Sequence, residues 1–175
     1  MILYAPTWRE NQHLPGEGYQ FQLPVDFKRW REVLGDEYVI LFRAHYFISN
    51  SFDFVAFSGF VYDVSQMDDI NPLYLAADVL ITDYSSIYID YLLLERPMLF
   101  LPYDREDYLK TRGFNFDYDE VTPGPKPKSY AEFLNSIEGL LYNEMNYVEN
   151  RKKIERKFNK IQEPCSEYIC RMVKE

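Results

Sequence analysis

The chain has 175 residues, 47% of them hydrophobic and 18% aromatic, which suits one folded domain with a real core and excludes a disordered polypeptide. Its 28 acidic and 19 basic residues give a formal charge of 19 − 28 = −9, which argues against non-specific nucleic-acid binding, although a local basic patch can still hold a phosphate. No apolar run approaches the roughly 20 residues of a membrane span.

Residues 2–5 read as a buried strand closed by Pro6, Thr7, Trp8 and Arg9. A polar loop with Gly16 and Gly18 follows through about residue 24, long enough to carry function. Phe27, Trp30, Arg31 and Leu34 recur at helical spacing up to Gly35, and residues 38–42 form a second apolar strand running into Arg43, Ala44 and His45. Residues 50–58 are aromatic and polar by turns and carry no assignment. A short strand is expected at 61–64, then a helix through Ala77, capped by Asp68 or Asp69 with Pro72 in its first turns.

The chain is organised around residues 78–103. Val79, Leu80 and Ile81 make a buried strand ending at Thr82 and Asp83, and residues 98–101 make another ending at Pro102. Between them Ser85 or Ser86 caps a helix carrying Ile87, Tyr91, Leu92 and Leu94, which Arg96 and Pro97 stop. Residues 104–112 read as a short helix or loop ending at Gly113, and 115–128, with Pro123, Pro125 and Pro127, as a crossover or linker. Ser129 caps a helix through about Tyr142, a charged helix spans 147–161, and Pro164 separates it from a last helix through Val173. Strands alternating with helices specify an α/β fold, a doubly wound parallel sheet, with residues 1–145 as the Rossmann-like domain and 146–175 as C-terminal helices packing on or extending from it.

Ligands of such sheets bind beyond the carboxyl ends of the strands. There the sequence collects Pro6 and Thr7 with Trp8 and Arg9, Arg43 and His45, then Asp83, Tyr84, Ser85 and Ser86, with Asp90 one helical turn beyond Ser86. Arg43 offers a planar fork of donors, the serines and the helix start offer short neutral donors, and His45 can give a proton to a leaving phosphate, which together suit a diphosphate ester. Each residue also has a plainer reading: the serines as helix caps, His45 as a satisfied polar residue, Asp90 as an exposed helix position. His13 is read as a surface residue. No Cys/His set has metal spacing, and neither a P-loop nor a G-x-G-x-x-G turn follows a strand, which argues against a Walker-type hydrolase or a nicotinamide dehydrogenase. Cys165 and Cys170 face different sides of a helix, which argues against a disulfide and suits a reducing cytosol. Arg151, Lys152, Lys153, Arg156, Lys157 and Lys160 form a basic block, read as a solvated face or as a peripheral contact with an anionic membrane or polymer.

APTWR after the first strand, FRAH after the second, and ITDYSSIYIDYLLLERPMLFLPYD resemble the C-terminal half of the CDP-glycerol glycerophosphotransferase family, the teichoic acid primases and polymerases. The similarity runs from residue 2 to about residue 142. It implies a glycosyltransferase-B architecture of two Rossmann-like halves, this chain being the half that holds the nucleotide donor. It also implies that Pro6 and Thr7 match a donor-contacting turn, Arg43, Ala44 and His45 an R-x-H element beside the diphosphate, Ser85 and Ser86 a phosphate-binding pair, and Asp90 a contact to glycerol or ribose. Arg43 and His45 are the implied catalytic pair. The implied donor is CDP-glycerol or CDP-ribitol, the acceptor a polymer or a lipid-linked unit, and no metal or other cofactor is required. The family's N-terminal half, with its acceptor-activating histidine, lies outside this sequence. Met1 leads straight into a strand without a signal peptide, so the chain is expected to be one half of something longer and to act in the cytoplasm, peripherally on the inner face of the cell membrane. Rival readings are a glycosyltransferase-B half using a UDP- or GDP-sugar, and a non-catalytic interaction module that keeps the fold.

Overall fold

The computed structural model describes residues 1–9, 23–45, 53–142, 147–161 and 165–174, together with two short strands inside the polar loop. In chain order the elements are β1 (Ile2–Ala5), β2 (His13–Leu14), β3 (Gly18–Tyr19), α1 (Phe27–Leu34), β4 (Ile40–Phe42), β5 (Val61–Asp63), α2 (Asn71–Ala76) and β6 (Val79–Thr82). They continue with α3 (Ile87–Tyr91), β7 (Met98–Phe100), α4 (Arg105–Thr111), α5 (Tyr118–Val121), α6 (Tyr130–Tyr142), α7 (Val148–Phe158) and α8 (Ser166–Lys174).

Five strands form one parallel sheet in the order β5-β4-β1-β6-β7, and β2 and β3 form a separate antiparallel pair. β1 is buried on both faces, which is why it reads as an unbroken apolar run: Ile2 and Tyr4 enter one core, Leu3 and Ala5 the other. The first core is closed by Phe27, Trp30 and Leu34 of α1 and by Phe133, Ile137 and Leu140 of α6. The second is closed by Leu73 and Tyr74 of α2, Tyr88 and Tyr91 of α3, and Ile154 of α7. Helices on both faces make the sheet doubly wound. From β1 the chain builds outward through β4 to β5, then returns to build through β6 to β7 on the other side. The order therefore reverses at β1, and the crevice above its carboxyl end is where such sheets take ligands.

Several elements differ from the sequence reading. The cap of α2 is Ile70, with no side-chain bond, because Asp69 instead accepts the N–H of Asn71 at 2.9 Å. Residues 115–128 are no linker. Asp117 caps α5 by accepting the N–H groups of Asp119 and Glu120, and Pro125 O accepts the N–H of Phe100 at 3.0 Å, so this segment covers the outer edge of β7. Gly124 makes the approach possible, since a Cβ there would lie 2.2 Å from Met98 O. Residues 53–58 contain a 3₁₀ turn at Val55–Phe57.

In the late basic helix α7, Arg151 is buried at 2% exposure beside the second core, so it leaves the basic face that a membrane contact would use. Lys153, Arg156, Lys157 and Lys160 are exposed and Lys152 is half-buried, since Ile154 and Arg151 turn the opposite side inward. Cys165 and Cys170 are free and exposed. Residues 10–12, 15–17, 20–22, 46–52, 143–146, 162–164 and 175, which include Gly16, Pro164 and the expected domain boundary at 145/146, lie outside the described residues, as does the side chain of His13. Among the described residues no helix is long and apolar enough to cross a membrane.

Candidate functional site

The carboxyl ends of β1, β4 and β6 open into a cavity of about 400 Å³. Seven residues singled out from sequence line it together: Pro6, Thr7, Arg43, Ala44, His45, Ser85 and Ser86. Ala5, Trp8, Tyr84, Ile87 and Tyr108 complete the wall. Parallel pairing of β1 with β4 and β6 explains the gathering, because it brings three strand ends to one edge from positions far apart in the chain.

Arg43 leaves β4 with its backbone N–H on Tyr4 O at 2.9 Å, and its Nη1 donates to Val64 O at 3.2 Å and Met67 O at 2.8 Å. Those two carbonyls brace one nitrogen of the fork. Ala44 donates its N–H to the buried Ser65 hydroxyl at 2.9 Å, which fixes the turn between Arg43 and His45. His45 packs its ring on Trp8 with centroids 5.6 Å apart, and desolvation holds its pKa below the ordinary 6.5. The imidazole is therefore neutral at pH 7 in the free protein. Protonated imidazole quenches indole emission, so Trp8 fluorescence is expected to titrate with a midpoint below 6.5, a signal absent from a Trp8→Phe variant. A midpoint at or above 6.5 contradicts the burial argument. The sign for stability follows: a depressed histidine contributes stability above its unfolded pKa and loses it as pH falls through the folded value.

The two serines divide their work. Ser85 Oγ accepts the N–H of Ile87 at 3.3 Å, so Ser85 supplies the cap, while Ser86 occupies the cap position of α3 without a side-chain capping bond and is exposed. Asp90 is exposed on α3 outside the cavity wall. Its charge and that of Arg43 both act on the Tyr74 phenol, which donates to Ile87 O at 3.2 Å.

Asp83 has a different place from the one expected of a ligand contact. It is only 2% exposed, and the protein occupies its oxygens. Oδ1 accepts the Thr7 N–H at 2.8 Å, the Thr7 hydroxyl and the Tyr84 N–H at 2.6 Å, and Oδ2 accepts Arg9 Nη2 at 3.0 Å. Arg9, itself 6% exposed, also donates to Thr7 O and, through Nε and Nη2 at 2.7 and 2.9 Å, to both oxygens of Asp104. The rings of Tyr84, Tyr103 and Tyr108 surround the guanidinium with centroids 5.1, 5.0 and 5.3 Å from Cζ. One arginine thus ties the ends of β1, β6 and β7 beneath the cavity floor.

Burial pushes the Asp83 carboxyl up, against the charge of Arg9 and the donors from Thr7 and Tyr84. Burial alone would lower Arg9, but its bond to Asp104 and the charge of Asp83 carry it above its usual value. Burial likewise raises the phenols of Tyr84, Tyr103 and Tyr108, which stay neutral.

A larger cavity of about 930 Å³ lies between the starts of α1 and α6 and the end of β7. Five carboxylates, Asp26, Asp104, Glu106, Asp107 and Asp119, face four cations in its wall. That balance suits an anion poorly, and the cavity sits away from the reversal point of the sheet. Among the described residues no group of three or more His, Cys, Asp or Glu is arranged to hold a metal ion.

The family model of the CDP-Glycerol:Poly(glycerophosphate) glycerophosphotransferases matches residues 1–175. The chain belongs to this family. A teichoic acid poly(glycerol phosphate) polymerase of Bacillus subtilis (strain 168) is 39% identical over 175 residues, covering 92% of this chain and 24% of the relative. A teichoic acid glycerol-phosphate transferase of Staphylococcus aureus (strain NCTC 8325 / PS 47) is 36% identical, with 99% of this chain and 44% of the relative covered. The solved wall teichoic acid polymerase TagF superposes with a TM-score of 0.84 at 37% identity, over 99% of this chain and 42% of that one. A variant of that polymerase soaked with CDPG for 30 minutes superposes with a TM-score of 0.82. The five-stranded glycerophosphotransferase sheet described above is the Rossmann-like half of a glycosyltransferase-B fold. The chain spans less than half the length of these relatives.

Proposed function

We propose that the chain is the donor-binding half of a CDP-glycerol glycerophosphotransferase that moves glycerol phosphate onto a cell-wall polymer of the teichoic acid type and releases CMP. The observation that carries this reading is the meeting of Arg43, His45, Ser85 and Ser86 in one cavity at the reversal point of the sheet. In the reaction an acceptor hydroxyl attacks the glycerol-bearing phosphorus. A new P–O bond forms, the bond to the CMP phosphate breaks, and its electron pair leaves with CMP.

Arg43 offers the N–H groups not braced by Val64 and Met67 to the diphosphate oxygens, and Ser86 adds a hydroxyl at the start of α3. His45, neutral in the free protein, donates its ring N–H to the leaving phosphate and gains basicity once that dianion is beside it. Pro6 and Thr7 form the turn against the donor, held by Asp83 and Arg9, and Asp90 receives glycerol or ribose hydroxyls. Together they position the donor, while Arg43, His45 and the helix start at Ser85 and Ser86 offset the charge that grows on the leaving phosphate.

A partner half across the cleft supplies the base for the acceptor hydroxyl, and the acceptor is a polymer or lipid-linked unit. In this reading residues 1–145 form the donor domain and 146–175 its C-terminal helices, and the exposed cations of α7 meet an anionic membrane surface on the cytoplasmic side. Thermal stabilisation by CMP, CDP-glycerol, CDP-ribitol, UDP and GDP tests the donor assignment. At about 100 times its Kd a ligand adds roughly 2.7 kcal/mol, several degrees for a chain of this size. Cytidine diphosphate esters are expected to stabilise selectively, and equal or better stabilisation by UDP or GDP overturns the reading.

A further inference from the structure

The outermost strand of the sheet, β5, ends in a turn that braces the donor cavity without lining it. Val64 extends β5 with its N–H on Phe42 O at 2.9 Å, and its carbonyl accepts the N–H of Met67 at 3.1 Å, which closes residues 64–67 into a turn. Asp63 Oδ1 accepts the Ser65 N–H at 2.9 Å, so the turn is also held from its start. Ser65 is buried at 8% exposure and is not part of the cavity wall.

Three acceptors of this turn meet the segment that carries Arg43 and His45. Val64 O and Met67 O take Nη1 of Arg43, and Ser65 Oγ takes the N–H of Ala44. The three bonds differ in what replaces them. Water reaches the Met67 carbonyl, whereas the bond from Ala44 to Ser65 is buried, and a buried N–H that loses its acceptor carries the full cost of desolvation. The Arg43 N–H is fixed on Tyr4 O by the strand ladder, so the Ser65 bond acts on the first peptide beyond that ladder. The next residue is His45, whose ring rests on Trp8 in the cavity wall. One hydroxyl on a neighbouring turn thus orients the peptide that joins the two residues of the implied catalytic pair.

We propose that Ser65 is a positioning residue of the donor site, which through the Ala44 N–H holds Arg43 and His45 at the angle where both reach one phosphate ester. This role rests on the donor reading given above. Ser65 acts without touching the ligand, and its contribution is made before the donor arrives.

CDP-glycerol affinity by calorimetry and the pH titration of Trp8 emission, compared across the unaltered chain, Ser65→Ala, Ser65→Thr and Val61→Ala, test the proposal. Ser65→Ala leaves the Ala44 N–H unpaired and lets the turn relax, and it is expected to bind CDP-glycerol about tenfold more weakly. Its Trp8 midpoint is expected to move up toward 6.5, because a His45 ring released from Trp8 regains water. Ser65→Thr keeps the acceptor oxygen and is expected to restore most of the affinity and of the midpoint. Val61, buried at 5% exposure in β5, provides the control, since its truncation loosens the same edge strand and leaves the three bonds in place. Val61→Ala is expected to melt at a lower temperature with affinity and midpoint unchanged. Equal losses of affinity in Ser65→Ala and Val61→Ala would reduce Ser65 to a general stabiliser and overturn the proposal. A Ser65→Ala chain with unchanged affinity and midpoint overturns it as well. If the unaltered chain binds no CDP-glycerol, the donor reading fails, and the Trp8 midpoint of Ser65→Ala still decides whether Ser65 holds His45.

Discussion

Arg9→Ala is expected to destabilise the chain by about 3–5 kcal/mol, because it strands the buried Asp83 carboxylate that Arg9 now neutralises. For a chain of this size that is a fall of about 10 °C or more in melting temperature. Donor binding is expected to fall with it, since Thr7 and Tyr84 take their positions from the same carboxylate. Asp83→Asn is expected to cost less, because Arg9 keeps Asp104 and the amide oxygen still accepts from Thr7. The effect also has a pH signature. Without Arg9 the Asp83 carboxyl, already raised by burial, is raised further above its unfolded value. The folded variant then favours the protonated acid, so its deficit shrinks as pH falls toward the acid range and grows as pH rises through the raised value. A melting temperature unchanged by Arg9→Ala would show that the pair contributes nothing to the strand ends.

Arg43→Ala is expected to weaken CDP-glycerol binding roughly 100-fold, about 3 kcal/mol, because a charged fork on phosphate makes more than one strong bond. Its cost in stability is smaller, since Met67 O can turn to water and only the Val64 carbonyl is partly enclosed. Arg43→Lys is not expected to restore binding, because one ammonium cannot both hold those carbonyls and span a diphosphate. Calorimetry on the three proteins decides it, and an Arg43→Ala chain that binds CDP-glycerol as before removes Arg43 from the site.

The strand ends were legible because buried parallel strands advertise themselves as apolar runs, and the polar residues just past each run are the ones the sheet brings to one edge. Thus Arg43, His45, Ser85 and Ser86 emerged from local pattern. Arg9 also stands at the strand ends, but its buried role stayed hidden, because its partners Asp83 and Asp104 lie 74 and 95 positions away and periodicity carries no information at that distance. Asp83 was visible for its place after β6, but a carboxylate turned inward to an arginine and one turned outward to a ligand have the same sequence. Helix α5 was hidden by its length of four residues, too short for a helical period, though Asp117 ahead of Asp119 and Glu120 is a capping pattern in hindsight. Trp8 and Tyr84 fall at the strand ends in the sequence but carry no role there, Tyr108 reads as an ordinary aromatic, and all three line the cavity once α4 docks beside Tyr84.

The measurement that bears most directly on the donor site is Trp8 emission during a calorimetric titration with CDP-glycerol, with Trp8→Phe as the silent control. Trp8 lines the smaller cavity and not the larger one between α1 and α6. The expected result is a saturable change in Trp8 emission whose midpoint matches the calorimetric one and which CMP reverses by competition. Binding heat with no change at Trp8 would put the nucleotide elsewhere on the chain and contradict the placement of the donor beside Arg43 and His45.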